Sequence, residues 1–181
     1  MSEAYEELIG RELDDLYSAA RCFTLNEGRA EELLQEAAIR GFHAFSRRRQ
    51  AQFHGWMLGM LVATHLERER RRGADPLGSS VEGVEIGEWS GAPRRGALPG
   101  PDDPAASRFG AWLERAWAEL DDGDRLILWL ADVERLRHAE IADIVGRPEE
   151  DVRRRHYRGR RVLSRRARID FGGRAAAGAG E

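Results

Sequence analysis

The sequence contains no lysine: all 29 of its basic side chains are arginine. It has one cysteine, Cys22, which excludes an internal disulfide framework and a cysteine-rich zinc site. Long apolar runs are missing too. The longest, Gly55 to Ala63, is far too short to cross a bilayer, so no membrane insertion is expected. The stretch Met1-Ser2-Glu3-Ala4-Tyr5-Glu6-Glu7 lacks the basic and apolar parts of a secretory signal, which makes a soluble, cytoplasmic chain the expectation. No glycine-rich phosphate loop occurs, and His43, His54, His65, His138 and His156 show no metal-ligand spacing. Asp121, Asp122 and Asp124 could suggest a metal cluster, yet acids at a helix start are explained by the helix dipole. Neither catalysis nor a cofactor is expected.

What is present is unevenly distributed. The net charge of −3 over 181 residues hides three different segments. Residues 1–72 hold 12 acids and 11 arginines, residues 73–107 hold 6 and 2, and residues 108–181 hold 14 and 16. The middle segment is acidic, rich in Gly, Pro, Ser and Ala, and without helical or alternating periodicity, so it reads as a flexible linker. Strand signals are nearly absent from the flanks. The expected fold is all-α, with two small helical domains at 1–72 and 108–171 joined by the linker at 73–107. A disordered Gly/Ala-rich tail is expected at 172–181. Helices are predicted over 3–24, 29–45, 50–72, 107–120, 123–134, 138–145 and 149–169.

Two N-terminal helices leave a question each. On the second, Ala30, Leu33, Leu34, Ala37, Gly41, Ala44 and Phe45 share one face, which should be core. Ile39 stands among Glu32, Gln35, Glu36 and His43 on the other face, either as an ordinary exposed aliphatic or as the anchor of a docking surface. The third helix is apolar nearly all round, with Phe53, Trp56, Met57, Leu58, Met60, Leu61, Val62 and Leu66. Such a helix is buried on two sides or keeps its second side for a partner.

The most specific signal runs from Glu134 to Arg161. A helix-turn-helix needs a small residue where its helices touch, a glycine in the turn, and an aliphatic residue on the buried side of the second helix. Ala142, Gly146 and Val152 fill these roles, with Ile141, Ile144 and Val145 completing the apolar side of the first helix. The second helix opens with Pro148 and the acids Glu149, Glu150 and Asp151, suited to the positive dipole end. Its buried face carries Val152, His156, Gly159 and Leu163. Arg154, Tyr157, Arg158, Arg161 and Arg165 lie opposite, flanked by Arg153. From Arg147 to Arg168 there are ten arginines and three acids, with no acid after Asp151. A solvated face usually mixes signs; this one suits phosphates and base edges.

With these residues in view, the chain resembles the extracytoplasmic-function (ECF) branch of the sigma factors of bacterial RNA polymerase. The C-terminal resemblance rests on Leu120-Asp121-Asp122-Gly123-Asp124-Arg125 through Leu130, and on Ala139-Glu140-Ile141-Ala142-Asp143-Ile144-Val145-Gly146-Arg147-Pro148-Glu149. A looser N-terminal one rests on Ala30-Glu31-Glu32-Leu33-Leu34-Gln35-Glu36-Ala37 and Phe53-His54-Gly55-Trp56. It implies a region 2-like domain at 1–72 and a region 4-like domain at 108–171. Glu32, Gln35, Glu36, Ile39 and Arg40 would dock on core RNA polymerase. Arg47, Arg48, Arg49, Gln52 and Phe53 would face the promoter's minus-ten element. Arg147, Arg153, Arg154, Tyr157, Arg158, Arg161 and Arg165 would read the minus-thirty-five element. Promoter DNA and core polymerase are the implied partners, and an anti-sigma factor is a candidate third. The alternative is a helix-turn-helix regulator that no longer engages polymerase productively. Several positions depart from the family's pattern: Gly59, Val62 and Ala63 replace polar or basic residues, Arg137 a capping Ser, Asp151 a small hydroxyl residue, and His156 a Leu.

Overall fold

The computed structural model describes residues 2–46, 52–78 and 112–175. These form seven helical stretches, and no strand occurs among the described residues. The N-terminal group is α1 (Ser2–Thr24), α2 (Glu27–Ala44) and α3 (Phe53–Arg71). The C-terminal group is α4 (112–118), α5 (Asp122–Leu128) with a π-helical turn over Trp129–Val133, α6 (His138–Val145) and α7 (Glu149–Ala175). The chain is therefore all-α.

Local chemistry sets the ends. Asn26 caps α2, its side chain accepting from the Arg29 amide at 2.9 Å, which starts the helix two residues before the predicted Arg29. α3 ends in a Schellman turn: Gly73 takes φ +76°, and the amides of Gly73 and Ala74 return to the carbonyls of Arg70 and Glu69. The predicted 123–134 helix is instead interrupted. After Leu128 the turn widens, with the Glu134 amide reaching the Trp129 carbonyl at 3.1 Å.

α1, α2 and α3 pack closely because small residues meet large ones. Ala19, Ala20, Ala30 and Ala37 are fully buried beside Leu16, Leu33 and Phe23. At Gly41 a Cβ would press on the Met57 sulfur and the Tyr5 hydroxyl, so a side chain there would force those two to shift. The Tyr5 hydroxyl donates to the Ala38 carbonyl at 2.7 Å, and burial raises its pKa to about 12. Of the predicted core face of α2, Ala44 is exposed and Phe45 half-buried; the rest is buried or nearly so.

The two-sided third helix is resolved by the C-terminal group. α3 is buried from Phe53 to Leu66 on nearly every side, touching α1 and α2 on one flank and α6 on the other. Leu58, Leu61 and Val62 belong to the same buried cluster as Leu126, Ile127, Leu130 and Ile141. Each such side chain contributes about 2 kcal/mol by leaving water. Phe23 also meets the Trp129 ring edge-on at 6.5 Å. The two helical groups thus share one apolar core.

A buried ionic seam accompanies it. His54 bridges Glu12 of α1 (2.7 Å) and Glu134 (3.1 Å), while Glu134, fully buried, also accepts from the Trp129 indole at 3.0 Å. Burial alone would lower the His54 pKa, but the two carboxylates outweigh it and hold it above the ordinary value. His65 lacks such partners: burial pushes it down to about 4, so it stays neutral near pH 7. Cys22 is buried and its thiol pKa is raised by that burial, as an inert core residue requires.

Residues 79–111, most of the expected linker, lie outside the described residues, as do 176–181 of the expected tail. The start of the linker departs from the expectation of a free segment. Asp75-Pro76-Leu77-Gly78 forms a turn closed by the Gly78 amide on the Asp75 carbonyl at 3.0 Å, and Leu77 is buried against the C-terminal group. An apolar side chain with a pocket to fill anchors even a short polar segment.

Candidate nucleic-acid interface

The helix-turn-helix is built from α6 and α7. Gly146 adopts φ +65°, the left-handed conformation that ends α6 sharply, and the Arg147 amide closes on the Ala142 carbonyl at 3.1 Å. Ala142, Ile141, Val145 and Val152 are buried at the junction. Arg137 occupies the N-cap of α6 without a capping hydroxyl. Glu140 compensates by accepting from the Arg137 amide (2.8 Å) and its guanidinium (2.9 Å). At the start of α7 the Pro148 carbonyl accepts from the amides of Asp151 and Val152. Farther along, Gly159 lets α5 approach, since a Cβ there would overlap the Leu128 side chain.

His156 is half-buried, as its wheel position suggests, and it is not alone. Its Nδ1 lies 2.8 Å from His138 Nε2, and its own Nε2 lies 3.1 Å from Asp132. This chain ties the π-helical turn, α6 and α7 together. Burial, and the neighbouring His156 and Arg153, lower the His138 pKa.

The arginines of α7 and of the turn before it, with Tyr157, divide into two sets. Arg153, Arg154, Tyr157, Arg161 and Arg165 all face solvent. Tyr157 is 66% exposed and the Arg161 guanidinium lies 5.9 Å from its ring centre. Arg153 pairs with Glu149 and Arg154 with Asp151, but Arg161 and Arg165 meet no acid among the described residues. Asp151, which stands in place of a small hydroxyl residue, is neutralised between Arg154 and Arg155. The second set points elsewhere. Arg158 clamps the buried Asp124 with both its Nε and Nη2 and remains half exposed, so it braces α7 on α5. Arg147 is largely buried, donating to the carbonyls of Leu77 and Gly78.

In the N-terminal group, Arg47, Arg48 and Arg49 lie outside the described residues. Gln52 is exposed just before α3. Phe53 corrects the expectation of a base-facing side chain. It is 4% exposed, edge-on to Tyr5 at 5.5 Å and close to Phe45 and Trp56. An aromatic amid three rings at a helix start gains more from packing than from solvent.

The outer face of α2 is continuous. Ile39 is 53% and Phe42 45% exposed. Around them Arg40 bridges Glu36 (2.8 Å) and Glu67 (2.6 Å), and Arg68 bridges Glu32 (2.6 Å) and Glu36 (3.6 Å). Gln35 is exposed beside them. The Arg40 hydrogen bond holds the Glu67 carboxyl below its ordinary value.

Residues that sequence reasoning missed are Arg155, Asp75 to Gly78, and the Glu12–His54–Glu134 seam. Only the turn left a signal, the Asp-Pro-x-Gly spacing of a β-turn. Among the described residues, Glu12, Asp15 and His54 are the group whose potential metal-ligand atoms come within 4.8 Å of one another. The carboxylates on both sides of His54 favour its protonated form, which is no ligand. No helix among the described residues is long and apolar enough to cross a membrane.

A buried two-helix junction with an arginine-rich outer face forms a helix-turn-helix, and residues 110–163 match the family described as Sigma-70, region 4. The likeness extends through the chain. Over 161 residues, 88% of its length, it is 30% identical to the ECF RNA polymerase sigma factor SigE of Mycolicibacterium smegmatis, and it spans 60% of that protein. It is 25% identical over 171 residues to the ECF RNA polymerase sigma factor SigW of Bacillus subtilis, with 92% of this chain and 90% of that one covered. The chain is thus similar to these two ECF sigma factors over most of its own length.

Proposed function

We propose that the chain is an ECF-type sigma factor that binds core RNA polymerase and directs promoter-specific transcription initiation in the cytoplasm. The observation that carries this reading is the arginine-rich outer face of α7, most of which lies within the segment 110–163 that matches sigma-70 region 4. Arg153, Arg154, Tyr157, Arg161 and Arg165 meet the upstream promoter element, guanidinium forks serving phosphates and guanine edges. Arg158 contributes through its exposed half while bracing Asp124. The outer face of α2, with Ile39 as anchor and Glu32, Gln35, Glu36 and Arg40 as rim, docks on the polymerase. The sigma subunit performs no chemistry of its own.

Run-off transcription with core polymerase on a promoter library tests the whole reading. Initiation from a subset of promoters that is abolished by Ile39→Glu is the expected result. Failure to associate with core polymerase would overturn it. One observation favours a second reading, a helix-turn-helix regulator without productive polymerase engagement. Gly59 and Val62 are buried within α3, where the family resemblance implies polar residues near melted DNA. A pull-down with core polymerase separates the two.

A further inference from the structure

Beside the exposed ridge of α7, the chain holds a second cationic locus that is already filled. Arg147, at the turn of the helix-turn-helix, and Arg155, one turn into α7, converge on the turn at Asp75–Gly78. Arg147 donates to the Leu77 and Gly78 carbonyls, and Arg155 donates to those of Leu77 (2.8 Å) and Pro76 (3.4 Å). Three successive backbone oxygens are thereby gathered by two guanidiniums. Asp75 adds one carboxylate, 3.9 Å from Arg147, and Arg155 also meets Asp151 (3.3 Å) and Asp124 (3.8 Å). Leu77, 4% exposed, anchors the turn, and its backbone lies tight against Gly123 of α5. A cavity of about 580 Å³ opens beside it, lined by Leu77, Arg147, Pro148, Asp151, Arg154 and Arg155.

Neutral carbonyls are modest partners for guanidinium groups, which form stronger charge-assisted bonds with anions. The geometry points to Arg147 and Arg155 as a backbone-phosphate site of nucleic acid, with residues 74–78 as its intramolecular occupant. The inference rests on the reading of α7 as a DNA-binding helix. In a helix-turn-helix the N-terminal part of the second helix approaches the groove; Arg147 lies in the turn just before that part and Arg155 within its second turn. While the turn is seated, the strongest cations at that end are spent on the chain itself. When it leaves, the guanidinium nitrogens that hold the three carbonyls are freed and Asp75 goes with the turn, so the local charge becomes more positive by one while Arg155 keeps its pairing with Asp151. The distal ridge of Arg161 and Arg165 is accessible throughout. First contact with duplex therefore uses the distal ridge, and full engagement requires the turn to lift.

Two substitutions dislodge the turn from opposite sides without altering charge. Leu77→Ser removes its anchor. Gly123→Ala places a methyl group where the Pro76 carbonyl oxygen sits, at a helical position that itself favours alanine. The full chain is titrated by fluorescence anisotropy against a short mixed-sequence DNA duplex over a series of salt concentrations. Both variants should bind about three- to tenfold more tightly at low salt, with a salt slope steeper by about one to two. Arg155→Ala added to the Leu77→Ser background should cancel most of the gain in affinity and salt slope. A parent that binds duplex, with both variants unchanged in affinity and slope, overturns the occupancy of the site and leaves DNA binding by α7 intact. If parent and variants all ignore duplex, the DNA-binding reading fails, and this inference with it.

Discussion

On the outer face of α2, the guanidiniums of Arg40 and Arg68 are each met by two carboxylates; along the outer face of α7, arginines outrun acids after the first turn. Both faces are highly charged, yet one is locally balanced around exposed Ile39 and Phe42 while the other is left positive. Balanced charge around an apolar centre suits a protein surface, where specificity comes from register and unpaired charge is costly. Unbalanced charge of one sign suits a polyanion, whose counterions it displaces. The total charge of the chain conceals this; the placement reveals it.

The comparison depends on the scaffold beneath both faces, and the largest expected effect tests that scaffold. Burial pushes the His65 imidazole down to about 4 in the folded chain, from the ordinary 6.5 of an exposed histidine that it regains on unfolding. In that window the unfolded chain binds more protons, so stability present above pH 6.5 is lost as the pH falls toward 4, by about 3 kcal/mol. Urea unfolding at pH 7 and pH 4.5 should show a steeper loss in the parent than in a His65→Asn variant. Equal slopes would remove His65 from the account. His54 works in the opposite sense: its folded pKa is raised, so its contribution is present below 6.5 and fades as the pH climbs through the higher folded value. The melting-temperature gap between parent and His54→Gln should accordingly narrow from pH 6 to pH 9.

The next effect concerns the arginine that breaks the pattern on α7. Arg158→Met leaves the buried Asp124 with only the more distant Arg155 (3.8 Å) and should cost about 2 kcal/mol of unfolding free energy. Arg161→Ala should leave stability within about 0.5 kcal/mol. If the two variants melt alike, Arg158 is no brace. Smaller still, and read in binding rather than stability, Arg161→Ala combined with Arg165→Ala should lower the salt slope of duplex binding by about two. An unchanged slope would mean the ridge does not meet phosphate. Smallest is the balanced face: Arg68→Met should cost under about 1 kcal/mol, as half-exposed ion pairs do. A loss of several kcal/mol would show that this face is structural.

Much of the fold was legible because it is written in local chemistry. The helices from α1 to α7 follow from periodicity, and the helix-turn-helix from Ala142, Gly146 and Val152, whose roles need only small size, positive φ and apolarity. The exposure of Ile39 was readable from a wheel for the same reason. What was not legible required knowing which helices meet. Arg158 lies on the polar side of α7, and nothing local says that Asp124 waits opposite at a separation of 34 residues. Phe53 could be a base contact or a core ring until Tyr5, Phe45 and Trp56 are placed around it. The Glu12–His54–Glu134 seam spans 80 residues between His54 and Glu134 and leaves no pattern in any one helix.

The apolar partition shared by α3 and α6 has a consequence for how the polypeptide can be taken apart. A peptide bond cut anywhere between residues 79 and 111 severs the covalent path between the two helical groups but none of the contacts that join Leu58 and Leu61 to the cluster containing Leu130 and Ile141. The resulting pieces should migrate together on a sizing column. Produced separately and mixed, they should regain the helicity of the intact chain, as complementing halves of one cooperative unit.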